Sequence, residues 1–207
     1  MTVIIDGTAG ITFPNSSTQL VAGAPLTTPS FTTTIGVGAA TASASGAGIT
    51  FPATQSASSD ANTLDDYEEG TWTPAIDSET AGTGRVTNVA CARYTKIGNL
   101  CSFQLQANLS TLGSGGSGVM VIRGLPFAML NVTGYSPSFT VGYFYNSGAG
   151  GSLTAISAAG AGANQTYMFF TGSNGSSNDV LWDGNVTFST IAATTLNMFV
   201  SGTYQTN

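Results

Sequence analysis

Apolar and polar residues alternate along much of residues 71–207, and short clusters of glycine, serine and asparagine interrupt the alternation. Such alternation is typical of β-strands with one buried face, because successive side chains point to opposite faces. The interruptions mark turns. The pattern predicts about eight strands, at residues 86–97, 100–109, 119–122, 138–145, 152–156, 166–170, 186–191 and 196–204. A series of short strands without a long helix predicts an all-β fold, with a C-terminal jelly-roll-like β-sandwich over residues 71–207.

One hairpin in this region has a defined register. A two-residue turn at 98–99 places Ile97 opposite Leu100. Cys91 and Cys101 then lie on opposite faces of the hairpin, so both are predicted to be free thiols. The predicted core face carries Tyr94, Cys101, Phe103 and Leu105, and the opposite face carries Arg93, Thr95, Ser102 and Gln104.

Residues 1–58 have a different character, with short apolar groups in a background of glycine, alanine, serine and threonine. Such a segment cannot bury a core by itself, so it is either disordered or buried against other copies of the chain. Disorder is typical of charged segments, and this one contains a single charged residue, Asp6. We therefore favour an extended shaft in which several chains intertwine, packed through Ile11, Phe13, Ile49 and Phe51.

Residues 59–70 are predicted to form a short junction helix between the shaft and the β-domain. Ser58, Ser59 or Asp60 is a suitable cap, and the acidic residues that follow favour a helix N-terminus. Leu64 and Tyr67 would share one helical face and pack near the axis of a trimer.

The charge of the chain excludes several classes of partner. Only 7% of residues are charged, the net charge is −6, and seven of the ten acids fall between residues 60 and 79. The four cations form no basic face, so neither nucleic-acid binding nor attraction to an anionic membrane is expected. No 18-residue apolar run and no signal-peptide pattern is seen, which predicts a protein made in a cytoplasm without membrane insertion.

The residue types also argue against catalysis. Histidine is absent, which removes the His-dependent nucleophilic and metal sites. Asp179 and Asp183 would be candidates for a glycosidase pair, although acids in a turn are the simpler interpretation. The acidic cluster at 65–69 lacks the spacing of a calcium loop. We expect no enzymatic activity, no metal and no cofactor.

Carbohydrate binding is the activity that the β-domain can support. Sugars are held by aromatic faces, together with amides and carboxylates that bond hydroxyl groups. Each aromatic residue is more often a packing residue than a ligand contact, and Trp72 is expected to pack. The candidate glycan-binding residues lie in predicted loops or at strand ends: Tyr135, Tyr145, Asn146, Asn174, Asp179, Trp182 and Asp183.

The chain also contains a repeat and a long junction motif. Gly-Ile-Thr-Phe-Pro occurs at residues 10–14 and again at 48–52, and Leu-Asp-Asp-Tyr-Glu-Glu-Gly-Thr-Trp-Thr-Pro follows at 64–74. Gly-Leu-Pro-Phe ends a predicted strand at 124–127. These sequences resemble the fibre and tail-fibre proteins of tailed bacteriophages, in which a Gly-Ile-x-Phe-Pro shaft repeat and this junction precede a C-terminal β-domain.

The resemblance implies a homotrimeric virion component, assembled in the cytoplasm of a bacterial host. About the first 20 residues would attach to a phage tail or capsid protein, and the β-domain would bind a host-surface polysaccharide. Three weak sites on one fibre gain avidity from their linkage. The alternative is a structural head fibre or decoration protein of the capsid without strong receptor binding. A bacterial extracellular lectin is a third, less favoured class, because no export signal is visible.

Overall fold

The computed structural model describes residues 4–6, 10–12, 18–19, 34–60, 62–145, 155–173 and 196–207. The chain divides into two compact units, Met1–Thr50 and Phe51–Asn207. In the first unit, three antiparallel strands form one small sheet and two parallel strands form another. The five strands are β1 (Ile4–Asp6), β2 (Gly10–Thr12), β3 (Thr18–Gln19), β4 (Thr34–Gly36) and β5 (Gly48–Thr50).

The second unit contains one sheet whose nine strands follow the order β6-β8-β9-β14-β11-β12-β13-β10-β7. The strands are β6 (Tyr67–Thr71), β7 (Ala75–Thr80), β8 (Val86–Ile97), β9 (Leu100–Thr111), β10 (Ser117–Arg123), β11 (Ser138–Tyr145), β12 (Ala155–Gly160), β13 (Tyr167–Ser173) and β14 (Asn197–Gln205). The described residues contain no helix, so the predicted all-β class is confirmed. No helix that could cross a bilayer is found in this described part of the chain.

The sheet of the second unit must curl, because its two edge strands are close neighbours in sequence. Strands β6 and β7 lie at opposite ends of the order and are joined only by residues 72–74. A flat nine-strand sheet would separate them by roughly 38 Å, whereas this connection can reach only about 14 Å. A hydrogen bond of 2.9 Å from the Ile76 amide to Thr87 Oγ1 joins β7 to β8. The jelly-roll topology and the homotrimer stay predictions.

Aromatic rings and methionines fill the space that the curled sheet encloses. Phe103 makes edge-to-face contacts with Trp72 at 5.9 Å and with Phe139 at 5.1 Å, which confirms that Trp72 packs. The Tyr204 hydroxyl lies in the same cluster and donates a hydrogen bond of 3.1 Å to the Phe127 carbonyl. Edge-to-face geometry is the favoured arrangement for such rings. The cluster fixes which face of each strand points inward.

The predicted hairpin register is confirmed. Ile97 lies opposite Leu100, and both cysteines are free. Cys101 is fully buried, and this burial raises the pKa of its thiol. Cys91, on the other face, is half-buried. Strands predicted at 86–97 and 138–145 have the predicted bounds, whereas the one predicted at 186–191 lies outside the described residues.

The predicted junction helix is wrong. Asp60 Oδ1 accepts a hydrogen bond of 2.9 Å from the Asn62 amide, which closes a short turn instead of capping a helix. Asp65 accepts another, of 2.7 Å, from the Ser58 amide. Residues 67–71 are strand β6, which pairs with β8 at the edge of the large sheet. Side-chain hydrogen bonds to the backbone and strand pairing outweigh the helical signals in this segment.

Candidate ligand-binding face

The exposed side of strands β6, β8, β9, β14 and β11, opposite the aromatic core, is here called the outer face. Along β9 the buried and exposed positions alternate strictly from residue 101 to 107. Ser102, Gln104 and Gln106 therefore point outward while Cys101 and Phe103 point into the core. The sequence alternation that predicted the core face also predicted this polar face.

Strand register arranges the outer face in rows that run across neighbouring strands. One row is almost entirely hydroxyl and amide, and the row beside it ends in two aromatic rings. The first contains Thr71, Arg93, Gln104, Ser201 and Thr140; the second contains Cys91, Gln106, Phe199 and Tyr143; the third contains Asn88, Asn108, Asn197 and Tyr145. Opposed residues in neighbouring strands lie within about 5.5 Å of each other at Cβ, so each row is a continuous surface.

A groove of about 800 Å³ crosses the outer face, and its wall is rich in polar side chains. Its size falls within the usual range for ligand sites. The side chains that line it include Glu69, Thr71, Arg93, Gln104, Ser201 and Thr203. Ser102 and Thr203 are linked across β9 and β14 by a hydroxyl hydrogen bond of 3.1 Å. The groove thus offers hydroxyl, amide, carboxylate and guanidinium groups on rigid strands.

An exposed aromatic pair lies beside the groove. The rings of Tyr143 and Phe199 are 4.9 Å apart and inclined by 34°, and the two residues are 43% and 39% exposed. Tyr145, at the end of the same strand, is 50% exposed. A hollow of about 270 Å³ next to Phe199 shares Gln104 and Ser201 with the groove, so the two depressions adjoin each other.

The four cations of the chain differ in how they are paired. Arg85 and Lys96 form ion pairs with the half-buried Asp77 and the buried Asp66, respectively. Arg123 Nε lies 3.9 Å from Asp77 Oδ2. Arg93 is exposed in the groove and forms no ion pair among the described residues. Within the described part of the chain it is the cation without a carboxylate partner, so its guanidinium is open to a ligand.

Strand β6 is held to the domain by polar contacts behind the groove. The Tyr94 hydroxyl donates a hydrogen bond to Glu68, and burial together with this bond raises the pKa of Tyr94 to about 12. Lys96 Nζ lies 5.5 Å from the centre of the Phe127 ring. The backbone hydrogen bond from Ser58 holds the pKa of Asp65 below its usual value. The bond between Tyr94 and Glu68 links β6 to β8 and so helps to fix the edge strand that carries Glu69 and Thr71 into the groove.

The structure places the predicted glycan-binding residues in different environments. Tyr145 lies on the outer face. Tyr135 does not; its ring packs against the core, and its hydroxyl accepts a hydrogen bond of 2.6 Å from the Gln205 amide. The structure thus gives Tyr135 a packing role. Five predicted residues lie outside the described part of the chain: Asn146, Asn174, Asp179, Trp182 and Asp183.

The predicted packing residues of the shaft and junction are largely exposed where they are described. Ile49 and Leu64 are 57% and 55% exposed, and Tyr67 is 41% exposed. Phe51 is half-buried, with its ring 6.5 Å from that of Tyr67. Ile11 lies in strand β2, although its side chain is outside the described atoms, and Phe13 lies outside the described residues.

Three residues of the outer face, Arg93, Tyr143 and Phe199, are not among the candidates selected from the sequence. The alternation in the hairpin predicts that Arg93 lies opposite the core, and a similar alternation in β11 and β14 turns both rings outward. The alternation along each strand therefore indicates that these side chains point outward. The sequence pattern does not reveal that β14 pairs with both β9 and β11. Phe199 lies opposite Gln106 of β9 and opposite Tyr143 of β11, and both partners are distant from it in sequence.

The acidic residues at 65–69 do not form a metal centre in the structure. Asp65, Asp66 and Glu68 bond to Ser58, Lys96 and Tyr94, respectively, and Glu69 accepts a hydrogen bond from Tyr67. No group of three acidic, cysteine or histidine side chains suited to a metal is found among the described residues. Each of these acids therefore has its own protein partner.

Comparison with known proteins gives one structural similarity. No family model and no curated protein match the sequence. Among solved structures, the chain is similar to the Dettilon tailspike protein (gp208), with 19% sequence identity and a TM-score of 0.48. The match covers 68% of this chain and 24% of the tailspike chain. At this TM-score the similarity carries no weight for function.

Proposed function

We propose that the chain is a homotrimeric bacteriophage fibre protein that attaches to the particle through its N-terminus. Its C-terminal β-domain binds a host-surface glycan without catalysing a reaction. The repeat at 10–14 and 48–52 and the junction at 64–74 support the assignment to a fibre. The observation that carries glycan binding is the exposed aromatic pair beside a polar groove on the outer face.

The chemistry of the outer face suits a saccharide. A sugar ring has apolar C–H faces that stack on an aromatic ring, and its hydroxyls both donate and accept hydrogen bonds. Tyr143 and Phe199 supply exposed rings, and Gln106 supplies an amide in the same row. The neighbouring rows supply the amides of Gln104 and Asn197. Both depressions are open to solvent, which suits reversible binding of a chain that extends beyond the site.

Exposed apolar residues in the N-terminal part of the second unit and in the first unit support oligomerisation. The parallel strands β4 and β5 pair Ile35 with Ile49, and both side chains are exposed. A two-stranded sheet has too little buried surface for independent stability. Leu64 and Tyr67 are also exposed in the junction. In a trimer these side chains gain burial that a single chain does not provide.

Binding of the full-length protein to an array of bacterial surface polysaccharides tests glycan recognition. We expect selective binding, and a loss of about tenfold or more in affinity when Phe199→Ala removes one stacking surface. Val132→Ser changes an exposed apolar residue elsewhere and serves as the matched control. Absence of binding to every glycan would refute the receptor role and favour the structural head-fibre or decoration alternative.

Light scattering of the full-length protein tests the fibre assembly independently. A trimer has three times the 20.9 kDa mass of one chain. A monodisperse monomer over a micromolar concentration range would contradict the trimeric fibre. If the protein is a trimer, cryo-electron microscopy of particles with a labelled N-terminus would distinguish attachment to the tail from attachment to the capsid.

A further inference from the structure

We infer that the groove on the outer face selects a sparsely acidic glycan, in which a carboxylate-bearing sugar contacts Arg93 and a neighbouring neutral sugar stacks on Phe199. This inference rests on the proposed glycan-binding function and specifies the class of ligand. It depends on three features: the pairing of the cations, the spacing between Arg93 and the aromatic pair, and the position of Glu69.

The first feature is the availability of the Arg93 guanidinium. The other three cations, Arg85, Lys96 and Arg123, are engaged with carboxylates of the protein. Arg93 is exposed, lines the groove and has no ion-pair partner among the described residues. A guanidinium presents a planar set of donors that matches a carboxylate with two parallel hydrogen bonds. A ligand carboxylate would supply the counterion that the described residues do not.

The second feature is the distance between the charge and the rings. Arg93 is two strands away from Phe199 across the sheet and one row away along it. Strand spacing and residue rise place their Cα atoms roughly 12 Å apart. Gln104, Gln106 and Ser201 occupy the surface between them and can bond hydroxyl groups. This separation suits adjacent sugars of one chain better than a single ring.

The third feature limits how acidic the ligand can be. Glu69 also lines the groove, so the formal charge of its wall is zero. A polymer with a negative charge on every sugar would place one charge beside Glu69, which is repulsive at such distances. A carboxylate accepts hydrogen bonds well from neutral sugar hydroxyls. The groove therefore suits neutral sugars with one carboxylate in each repeating unit.

The experiment compares full-length wild-type protein with Arg93→Gln and Arg93→Lys on an array of neutral, sparsely acidic and fully acidic oligosaccharides. The best acidic ligand is also prepared with its carboxyl groups reduced to alcohols. We expect wild-type affinity for the sparsely acidic ligand to fall about tenfold or more on carboxyl reduction. Arg93→Gln should cause a similar loss on the acidic ligand and no further loss on the reduced one. Arg93→Lys should recover part of the affinity, since it keeps the charge without the planar fork.

Each outcome has a defined meaning. Equal affinity for the acidic ligand and its reduced form would overturn the inference while leaving glycan binding intact. Preference for neutral or fully acidic glycans would also overturn the inference and leave glycan binding intact. Absence of binding to all probes would refute the proposed function itself. Affinity for the acidic ligand that falls with salt in the wild type and not in Arg93→Gln would support the charge contact.

Discussion

The two faces of the large sheet carry similar residue types in opposite environments. On the inner face, Phe103 and Phe139 contact each other edge to face and are almost fully buried. On the outer face, Tyr143 and Phe199 are also in contact, yet about two fifths of each remains exposed. Burial of an aromatic side chain contributes strongly to stability, whereas an exposed ring contributes little. The inner rings therefore serve the fold, and the outer rings are available to a ligand.

The cations show the same contrast. Lys96 is buried and paired with Asp66, while Arg93 is exposed and unpaired among the described residues although it is only three positions away on the same strand. Alternation of the strand directs one cation inward and the other outward. A buried cation requires a partner from the protein, whereas an exposed cation is solvated and can be paired by a ligand instead.

Substitution of one aromatic residue on each face tests the first contrast and should give the largest effect. Phe103→Ala removes a buried ring from the centre of the core, and we expect it to lower the free energy of unfolding by about 3–5 kcal/mol. Phe199→Ala should change it by less than about 1 kcal/mol, because the ring is already partly in water. Urea denaturation followed by fluorescence measures both. Equal losses would mean that the outer pair is also structural.

Substitution of one cation on each face tests the second contrast. Lys96→Met leaves Asp66 buried without a counterion, and we expect a loss of about 3 kcal/mol in the free energy of unfolding. Adding Asp66→Asn should recover part of this loss, because no buried charge remains. Arg93→Met, the matched outer-face change, should stay within about 0.5 kcal/mol. If the double variant is no more stable than Lys96→Met, the loss does not arise from the unpaired carboxylate.

The sequence predicted local structure well where alternation and turn chemistry act over a few residues. The register at Ile97 and Leu100, the inward side of Cys101 and the bounds of β8 follow from that pattern. The conformation of the junction could not be predicted in this way, because it depends on the pairing of β6 with β8 and on the contact between Asp66 and Lys96. Such contacts bring together residues about 30 positions apart.

The candidate site was harder to predict than the fold for the same reason. The position of Tyr145 just before a glycine-rich turn predicts an exposed ring, and Tyr145 lies on the outer face. The position of Tyr135 in a predicted loop leads to the same expectation, yet its ring packs against the core. The pair of Tyr143 and Phe199 exists only because β11 and β14 are neighbours. Residue type and exposure do not define a surface until the strand order is known.

The two cysteines offer a chemical comparison of the faces without changing the core. Cys91 is half-buried beside the outer hollow, and Cys101 is fully buried with a raised pKa. We expect a thiol reagent to label Cys91 at least about a hundredfold faster than Cys101, because Cys101 can react only when the structure opens locally. Mass spectrometry of labelled peptides measures both rates, with Cys91→Ser as the control. Comparable rates would show that the inner face is not closed to solvent.

Labelling of the two cysteines in the presence of a saturating glycan tests whether the ligand occupies the outer hollow. Cys91 and Phe199 line the same hollow, so a ligand stacked on the ring should slow labelling of Cys91 and leave Cys101 unchanged. A ligand that binds without protecting Cys91 would place the site outside this part of the outer face.

The smallest effect is expected at high pH, from the hydrogen bond that holds β6 behind the groove. The folded-state pKa of Tyr94 is raised to about 12 from an ordinary value of 10.0, first by burial and then by its hydrogen bond to Glu68. A raised pKa in the folded state favours the protonated form, so this stabilisation is complete below pH 10 and is lost as the pH rises towards 12. Tyr94→Phe removes the titrating hydroxyl, and urea midpoints measured from pH 8 to 12 should therefore fall less steeply in the variant. Tyr204, Tyr67 and Cys101, whose pKa values are also raised, remain in both proteins and contribute to the residual slope. Parallel curves for the two proteins would show that ionisation of Tyr94 does not weaken the attachment of β6.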